Sequence, residues 1–236
     1  MPKIAQCFAD FGTGSNFAIV LNTEGLYFTL FDESFRKIVI SSDMIFVDGV
    51  GLKRIFRIFG FVSAKRIHGP DLFHHMLHLL DGRKRMIIGG TDEAHSLLFK
   101  KYPYLTSCKD RFFYSDKVDE SDMDAIFRLI ESFDPCEIYL CLGIKKQEVI
   151  GSLIVAKFPE LNVVGVGAAI DFESGNINRS PLFAQKIGIE WLVRSLREPR
   201  MIPRVGRSLY VVLYCYFLKF WRGENPLKSL GFSAID

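Results

Sequence analysis

Five short stretches of the chain carry the residue types that could do chemistry. They are Asn22-Thr23, Asp48-Gly49-Val50-Gly51, Gly89-Gly90-Thr91, Gly143-Ile144-Lys145-Lys146-Gln147-Glu148, and residues 167–171, which run from Gly167 to Asp171. Each is polar, rich in glycine, or both. Glycine lets a ligand approach the backbone closely, and a helix that starts just after such a loop offers unpaired N–H groups suited to a diphosphate. Any one of these loops reads equally well as a tight turn. Together they read as the rim of one ligand cleft.

The surrounding pattern supplies elements to position them. Short apolar, β-rich runs at residues 17–21, 44–47, 86–88, 138–142 and 162–166 predict strands. Helical patterns fill residues 23–40, 70–80, 93–102, 121–133 and 147–158, several opened by Asp, Ser, Thr or Pro at a capping position. Strands alternating with helices imply an α/β fold, a Rossmann-like, mainly parallel sheet with flanking helices. Ligands bind such sheets outside the carboxyl ends of the strands, where all five polar loops would fall.

From about Pro181 the pattern changes, and we divide the chain into a domain over residues 1–195 and a basic, aromatic helical appendage over 196–236. Residues 182–196 read as one amphipathic helix. The run SLYVVLYCYFLKFW at 208–221 is too short for a spanning helix, which needs about 20 apolar residues. It fits a membrane-associating interfacial helix: Tyr210, Tyr214, Tyr216 and Trp221 suit a headgroup boundary, and Arg200, Arg204, Arg207, Lys219 and Arg222 suit anionic lipid. A core helix or a contact between subunits is the other reading, which leaves a homo-oligomer open.

Composition narrows the partners. With 236 residues, 49% hydrophobic and 24% charged, the chain can bury a large core. A formal charge of +3 is too small to argue for nucleic acid, although the segment 194–207 is locally basic. Cys7, Cys108, Cys136, Cys141 and Cys215 form no C-x-x-C pair and read as buried thiols in a reducing compartment. The opening residues lack a charged segment followed by an apolar core, so a cytoplasmic location is expected.

Six ordered blocks resemble one family. DMIFVDGVG (43–51) is similar to the "aDGxG" block of the WecG/TagA/CpsF glycosyltransferases, and KRIHGPDL (65–72) to their "eRvtGxDl". LGIKKQE (142–148) resembles "lGxPkQE", with Lys145 where proline is usual, and GVGAAIDFESG (165–175) resembles "gvGaxfDfxaG". RSP (179–181) resembles "RAP", and GIEWLVR (188–194) followed by EPR (198–200) resembles "GlEWlyRlxxEPxR". The segment Arg111 to Tyr114 follows the family's "GYF" loop only loosely.

The resemblance implies an inverting transferase that moves N-acetylmannosamine, its uronic acid or a related hexose from a UDP-sugar to a polyprenyl-diphosphate-linked sugar, in cell-surface polysaccharide or teichoic acid linkage synthesis. It implies no cofactor and no metal, and a place on the inner face of the cytoplasmic membrane. It assigns Asp48 as the base for the acceptor hydroxyl, although an Asp there also suits a helix cap. Arg66, Lys146 and helix N-termini would stabilise charge on the leaving diphosphate. Gln147 is the expected nucleotide or sugar ligand, and Glu148 either joins it at the substrate or favours the helix dipole. Asn22 and Thr23 either touch the donor sugar or cap a helix. Gly49, Gly69, Gly89, Gly90 and Gly143 line the substrate, and Asp171 is a cleft residue without an assigned role. Arg194, Arg200, Arg204 and Arg207 are acceptor-side residues, since guanidinium forks suit a lipid diphosphate.

Other signals carry less. The D-x-D at Asp122 and Asp124 opens a helix, which acids favour without a metal. His74 and His78 lie one helical turn apart with no further ligand in view and read as a solvated or partly packed face. Gly12-Thr13-Gly14 precedes a strand, and no G-x-G-x-x-G follows the first one, against a nicotinamide enzyme. The competing class is a family member that has lost catalysis and scaffolds other membrane enzymes. Joint retention of Asp48, Arg66, Lys146 and Gln147 argues against it.

Overall fold

The computed structural model describes residues 3–4, 17–61, 65–78, 83–103, 106–108, 120–177 and 202–234. Among the described residues eight strands form one sheet in the order β5-β4-β6-β7-β2-β3-β1-β8, every adjacent pair parallel. The strands are β1 (Lys3–Ile4), β2 (Phe17–Leu21), β3 (Met44–Val47), β4 (Arg85–Gly89), β5 (Thr106–Cys108), β6 (Glu137–Cys141), β7 (Asn162–Gly165) and β8 (Ser233–Ala234). The helices are α1 (Thr23–Phe31), α2 (Glu33–Ser41), α3 (Val50–Ile58), α4 (Gly69–Leu77), α5 (Asp92–Lys101), α6 (Glu120–Phe133), α7 (Lys146–Lys157), α8 (Ala169–Ser174) and α9 (Ile202–Phe217).

Alternation along each strand splits the core into two layers. Ile19, Leu21, Ile45, Val47, Ile88, Leu140 and Val163 face a layer built with α1, α2, α3, α6, α7 and α9. Ala18, Phe46, Ile87, Tyr139 and Val164 face α4, α5 and α8 on the other side. Central strands covered on both faces are apolar throughout, which is why they read as continuous hydrophobic runs. At the amino ends of β4 and β6, the buried Glu137 takes Arg85 Nε at 2.8 Å, Arg83 at 2.6 Å and the Tyr139 hydroxyl at 2.6 Å. That network closes the end of the sheet away from the polar loops.

Three expectations change. The single helix over 23–40 is two, because Asp32 caps a new helix by accepting from Phe35 N, while Arg36 donates to the Thr29 and Leu30 carbonyls that α1 leaves unpaired. Residues 50–58, for which the pattern predicts no helix, form α3, which begins inside the polar stretch 48–51 and whose Leu52, Ile55 and Phe56 are fully buried. Cys136 is exposed, whereas Cys141 and Cys215 are buried as expected.

The C-terminal run folds as α9 continued by a π-helical turn, Leu218–Arg222. Val211 and Cys215 pack into the core layer shared with α1 and α3, Leu218 is buried one turn further on, and the chain then returns so that β8 pairs with β1. The opposite side of α9 exposes Ile202, Leu209, Leu213, Phe217, Phe220 and Trp221, the last at 83%. Among the described residues no helix is long and apolar enough to cross a membrane. The helix predicted over 182–196 and the 195/196 boundary lie outside the described residues.

Candidate active site

The parallel register brings the polar loops to one edge. Leu21 pairs with Val47, Gly89 with Cys141, and Leu140 with Gly165, so the segments that follow emerge side by side. Asp48 N donates to Leu21 O at 2.7 Å, which sets Asp48 directly beside Asn22. Asn22 is the N-cap of α1, accepting from Gly25 N at 2.9 Å. Thr23 opens the helix, and its methyl lies 3.0 Å from where a Cβ on Gly51 would stand. Gly49 turns the chain from β3 into α3 at φ +85°, a conformation a side chain would strain.

Asp48 has a partner that sequence reasoning passed over. His68 Nδ1 lies 2.6 Å from Asp48 Oδ1, and both side chains are mostly buried. The contact exists because Arg66 bridges to Val47 as a short parallel extension of the sheet, with Ile67 N donating to Val47 O at 2.9 Å. His68 follows as the N-cap of α4. Gly69 lets α4 start against β7, since a Cβ there would stand 3.0 Å from Val166 O. The Asp48 hydrogen bond holds the His68 imidazole above its ordinary pKa, against the opposing effect of burial. Its Nε2 is buried without a hydrogen-bond partner.

Across the edge, the loop after β6 is shaped by Lys145, which sits at φ +71° and ψ −50° in the strained γ-turn region. Proline, fixed near φ −65°, does not adopt that conformation. Lys145 Nζ pairs with Asp32 Oδ2 at 2.6 Å and lies 4.3 Å from the centre of the Phe28 ring. Lys146 is the first residue of α7, and Gly143 has open space where a Cβ would point. Gln147 is buried: its Oε1 accepts from Gly167 N at 3.1 Å and its Nε2 donates to Glu148 Oε1 at 2.9 Å. Its amide thus ties this loop to the one after β7. Burial pushes the Glu148 carboxyl up to about 7, with the nearby Glu24 adding to the shift.

Gly89 and Gly90 turn at φ +96° and +91° at the end of β4, where any Cβ would meet Cys141 O or the Ile170 side chain inside 3 Å. Their backbones therefore pack on protein. Asp171 accepts from Asn176 Nδ2 at 3.2 Å in α8. His74, set aside in the sequence, bonds Glu173 at 2.8 Å, together with Lys101 at 2.7 Å and the Tyr102 hydroxyl at 3.0 Å. Among the described residues no group of three or more His, Cys, Asp or Glu side chains is placed to hold a metal ion.

Two of the four C-terminal arginines reach this edge. Arg204 Nε lies 2.9 Å from one oxygen of Glu24, and Arg207 donates to the other from Nε at 3.1 Å and from Nη2 at 2.5 Å. Glu24 is 2% exposed in the first turn of α1, and Arg207 also lies over the Phe28 ring. Arg194 and Arg200 lie outside the described residues, as do Arg111 to Tyr114. Glu24 was missed because nothing local marks an acid at position 24 as the partner of arginines about 180 residues away. His68 sat within a recognised block, just before the Gly-Pro that opens α4, and that position was the available signal.

Residues 2–226 match the model of the Glycosyl transferase WecG/TagA/CpsF family. A Staphylococcus aureus (strain MRSA252) protein, named N-acetylglucosaminyldiphosphoundecaprenol N-acetyl-beta-D-mannosaminyltransferase, is 26% identical over 233 residues, covering 96% of this chain and 88% of the relative. Its counterpart of the same name from strain MW2 is 25% identical with the same coverage.

Proposed function

The chain belongs to the glycosyl transferase WecG/TagA/CpsF family, and from that premise we propose that it transfers an N-acetylmannosamine-type sugar from a UDP-sugar to a polyprenyl-diphosphate-linked sugar, with inversion. The relatives' names supply the sugar and the acceptor class. The observation that carries the reading is Asp48, mostly buried at the carboxyl end of β3 and hydrogen-bonded to His68. A direct displacement at the anomeric carbon needs a base at that edge, and catalysis there depends on Asp48.

In this reading the turns at Gly49 and Gly143 and the amino end of α7 cradle the nucleotide diphosphate, with Lys146 and Arg66 offsetting its charge and no metal required. Gln147 keeps the cradle's shape through its bond to Gly167. Asn22 and Thr23 border the sugar, and Asp171 borders the far side. Arg204 and Arg207, each about a third exposed beyond their pair with Glu24, meet the acceptor diphosphate; the same role is proposed for Arg194 and Arg200, which lie outside the described residues. The exposed apolar side of α9, flanked by Lys219 and Arg222, rests on the inner face of the cytoplasmic membrane. The product belongs to cell-surface polysaccharide or teichoic acid linkage synthesis.

The test is UDP release from a panel of UDP-hexoses and UDP-N-acetylhexosamines with a short-chain lipid-diphosphate GlcNAc acceptor. One donor should turn over only with acceptor present, and Asp48→Asn should reduce kcat by about 100-fold or more, the scale of general base catalysis. A protein that neither binds UDP nor turns over any donor would sink the reading.

A further inference from the structure

We propose that His68 is the proton acceptor of the transfer reaction, with its Nε2 taking the acceptor hydroxyl's proton while Asp48 holds and charge-balances the ring through Nδ1. This rests on the transferase reading above and names the atom that performs its base step.

The geometry argues for it in three ways. First, the Asp48 Oδ1 to His68 Nδ1 contact of 2.6 Å fixes the tautomer: with Nδ1–H donated to the carboxylate, Nε2 carries the lone pair. Second, Nε2 is buried and has no hydrogen-bond partner, although buried polar atoms are almost always paired. A substrate hydroxyl supplies the missing partner. Third, His68 is the N-cap of α4 yet caps no N–H with its side chain, so the imidazole has no structural duty at the helix start. A carboxylate orienting a histidine whose far nitrogen faces the reacting group is a recurring base arrangement on unrelated folds.

Electrostatics agree. The groups acting on the ring are Asp48 from the end of β3, Arg66 from the extension beside it, and Asp71 from the first turn of α4. Asp48 and Asp71 favour the imidazolium, Arg66 and burial oppose it, and the balance raises the pKa. Imidazoles ordinarily titrate near about 6.5 and carboxylates near about 4. A base poised near working pH is the more effective of the two. In the step itself the hydroxyl O–H bond breaks and its proton goes to Nε2. The oxygen bonds the anomeric carbon, and the bond from that carbon to the diphosphate oxygen breaks with its electron pair leaving on UDP. The imidazolium returns the proton to water after release.

The experiment is the pH dependence of kcat/KM with the donor and lipid acceptor that turn over, for wild type, His68→Gln and His68→Ala with added imidazole. We expect an acidic limb in wild type with an apparent pKa above about 6.5. His68→Gln should lose about 100-fold or more in kcat at unchanged donor KM, together with that limb, and imidazole should restore part of the His68→Ala rate. The wild-type profile tests the idea even if a variant does not fold: a limb near about 4 would make a carboxylate the base and overturn the assignment. Turnover that survives His68→Gln within threefold overturns it while leaving the transferase reading standing. No turnover by wild type with any donor overturns both.

Discussion

Two buried carboxyls at the open end of the sheet are handled differently by their surroundings. Glu24 meets two guanidinium groups. Glu148 has the Gln147 amide on one oxygen, and its other oxygen has no hydrogen-bond partner. Burial accordingly raises its pKa from 4.5 to about 7. A raised carboxyl means that the native state holds a proton the unfolded chain gives up, so this contribution is full below about pH 4.5 and is lost as pH rises through about 7. Stability should therefore fall between about pH 5 and pH 8, and Glu148→Gln should flatten that part of the curve. At pH 8 the variant should melt higher than wild type, by about 2–4 °C for each kcal/mol recovered in a chain of this size. Thermal melts at several pH values check this, and parallel wild-type and variant curves would refute it.

At the scale of elements, α1 gathers the parts of the site. Glu24 and Phe28, one turn apart, hold Arg204 and Arg207 from α9 and Lys145 from the loop before α7. The break at Asp32 matters for the same reason: that residue starts α2 and anchors Lys145. Glu24→Gln leaves two arginines against an uncharged amide. Breaking a fully buried pair costs about 3–5 kcal/mol. Here the arginine side chains are 39% and 34% exposed, so solvent screening reduces the cost to about 1–3 kcal/mol. The loss should be local, appearing as faster amide exchange over α9 with the central strands unchanged. Uniform acceleration across the sheet would show instead that the pair supports the whole fold.

For the whole molecule, one side of α9 completes the core while the other shows a row of large apolar side chains ending in Phe220 and Trp221. Soluble proteins seldom leave such a row uncovered without a use for it. Leu213→Lys with Trp221→Ser should weaken sedimentation with anionic vesicles by about tenfold or more, since each large apolar side chain withdrawn from lipid forfeits about 1.5–3 kcal/mol. Both residues are exposed, at 62% and 83%, so the melting temperature should hardly move. Undiminished vesicle binding would locate the contact elsewhere.

Much of this was legible in the chain itself. The central strands β2 and β3 have the predicted bounds, because buried parallel strands need unbroken apolar runs and turn residues mark their ends. The alternation of strands and helices set the parallel architecture, and that architecture put Asn22, Asp48, Gly89, Gly143 and Gly167 on one edge before any distance was known. Local patterns fall short at two places: they predict no helix over 50–58, where α3 forms, and they run α1 and α2 together, since a single Asp both continues a helix face and caps a new helix. Only the tertiary structure decided the pairings. That Asp48 meets His68, that Glu24 meets Arg204 and Arg207, and that Gln147 turns inward to Gly167 depend on contacts between residues 20 to about 180 positions apart. Sequence periodicity reports which face of its own element a side chain occupies; its partner on another element is fixed only when the sheet and helices close around it.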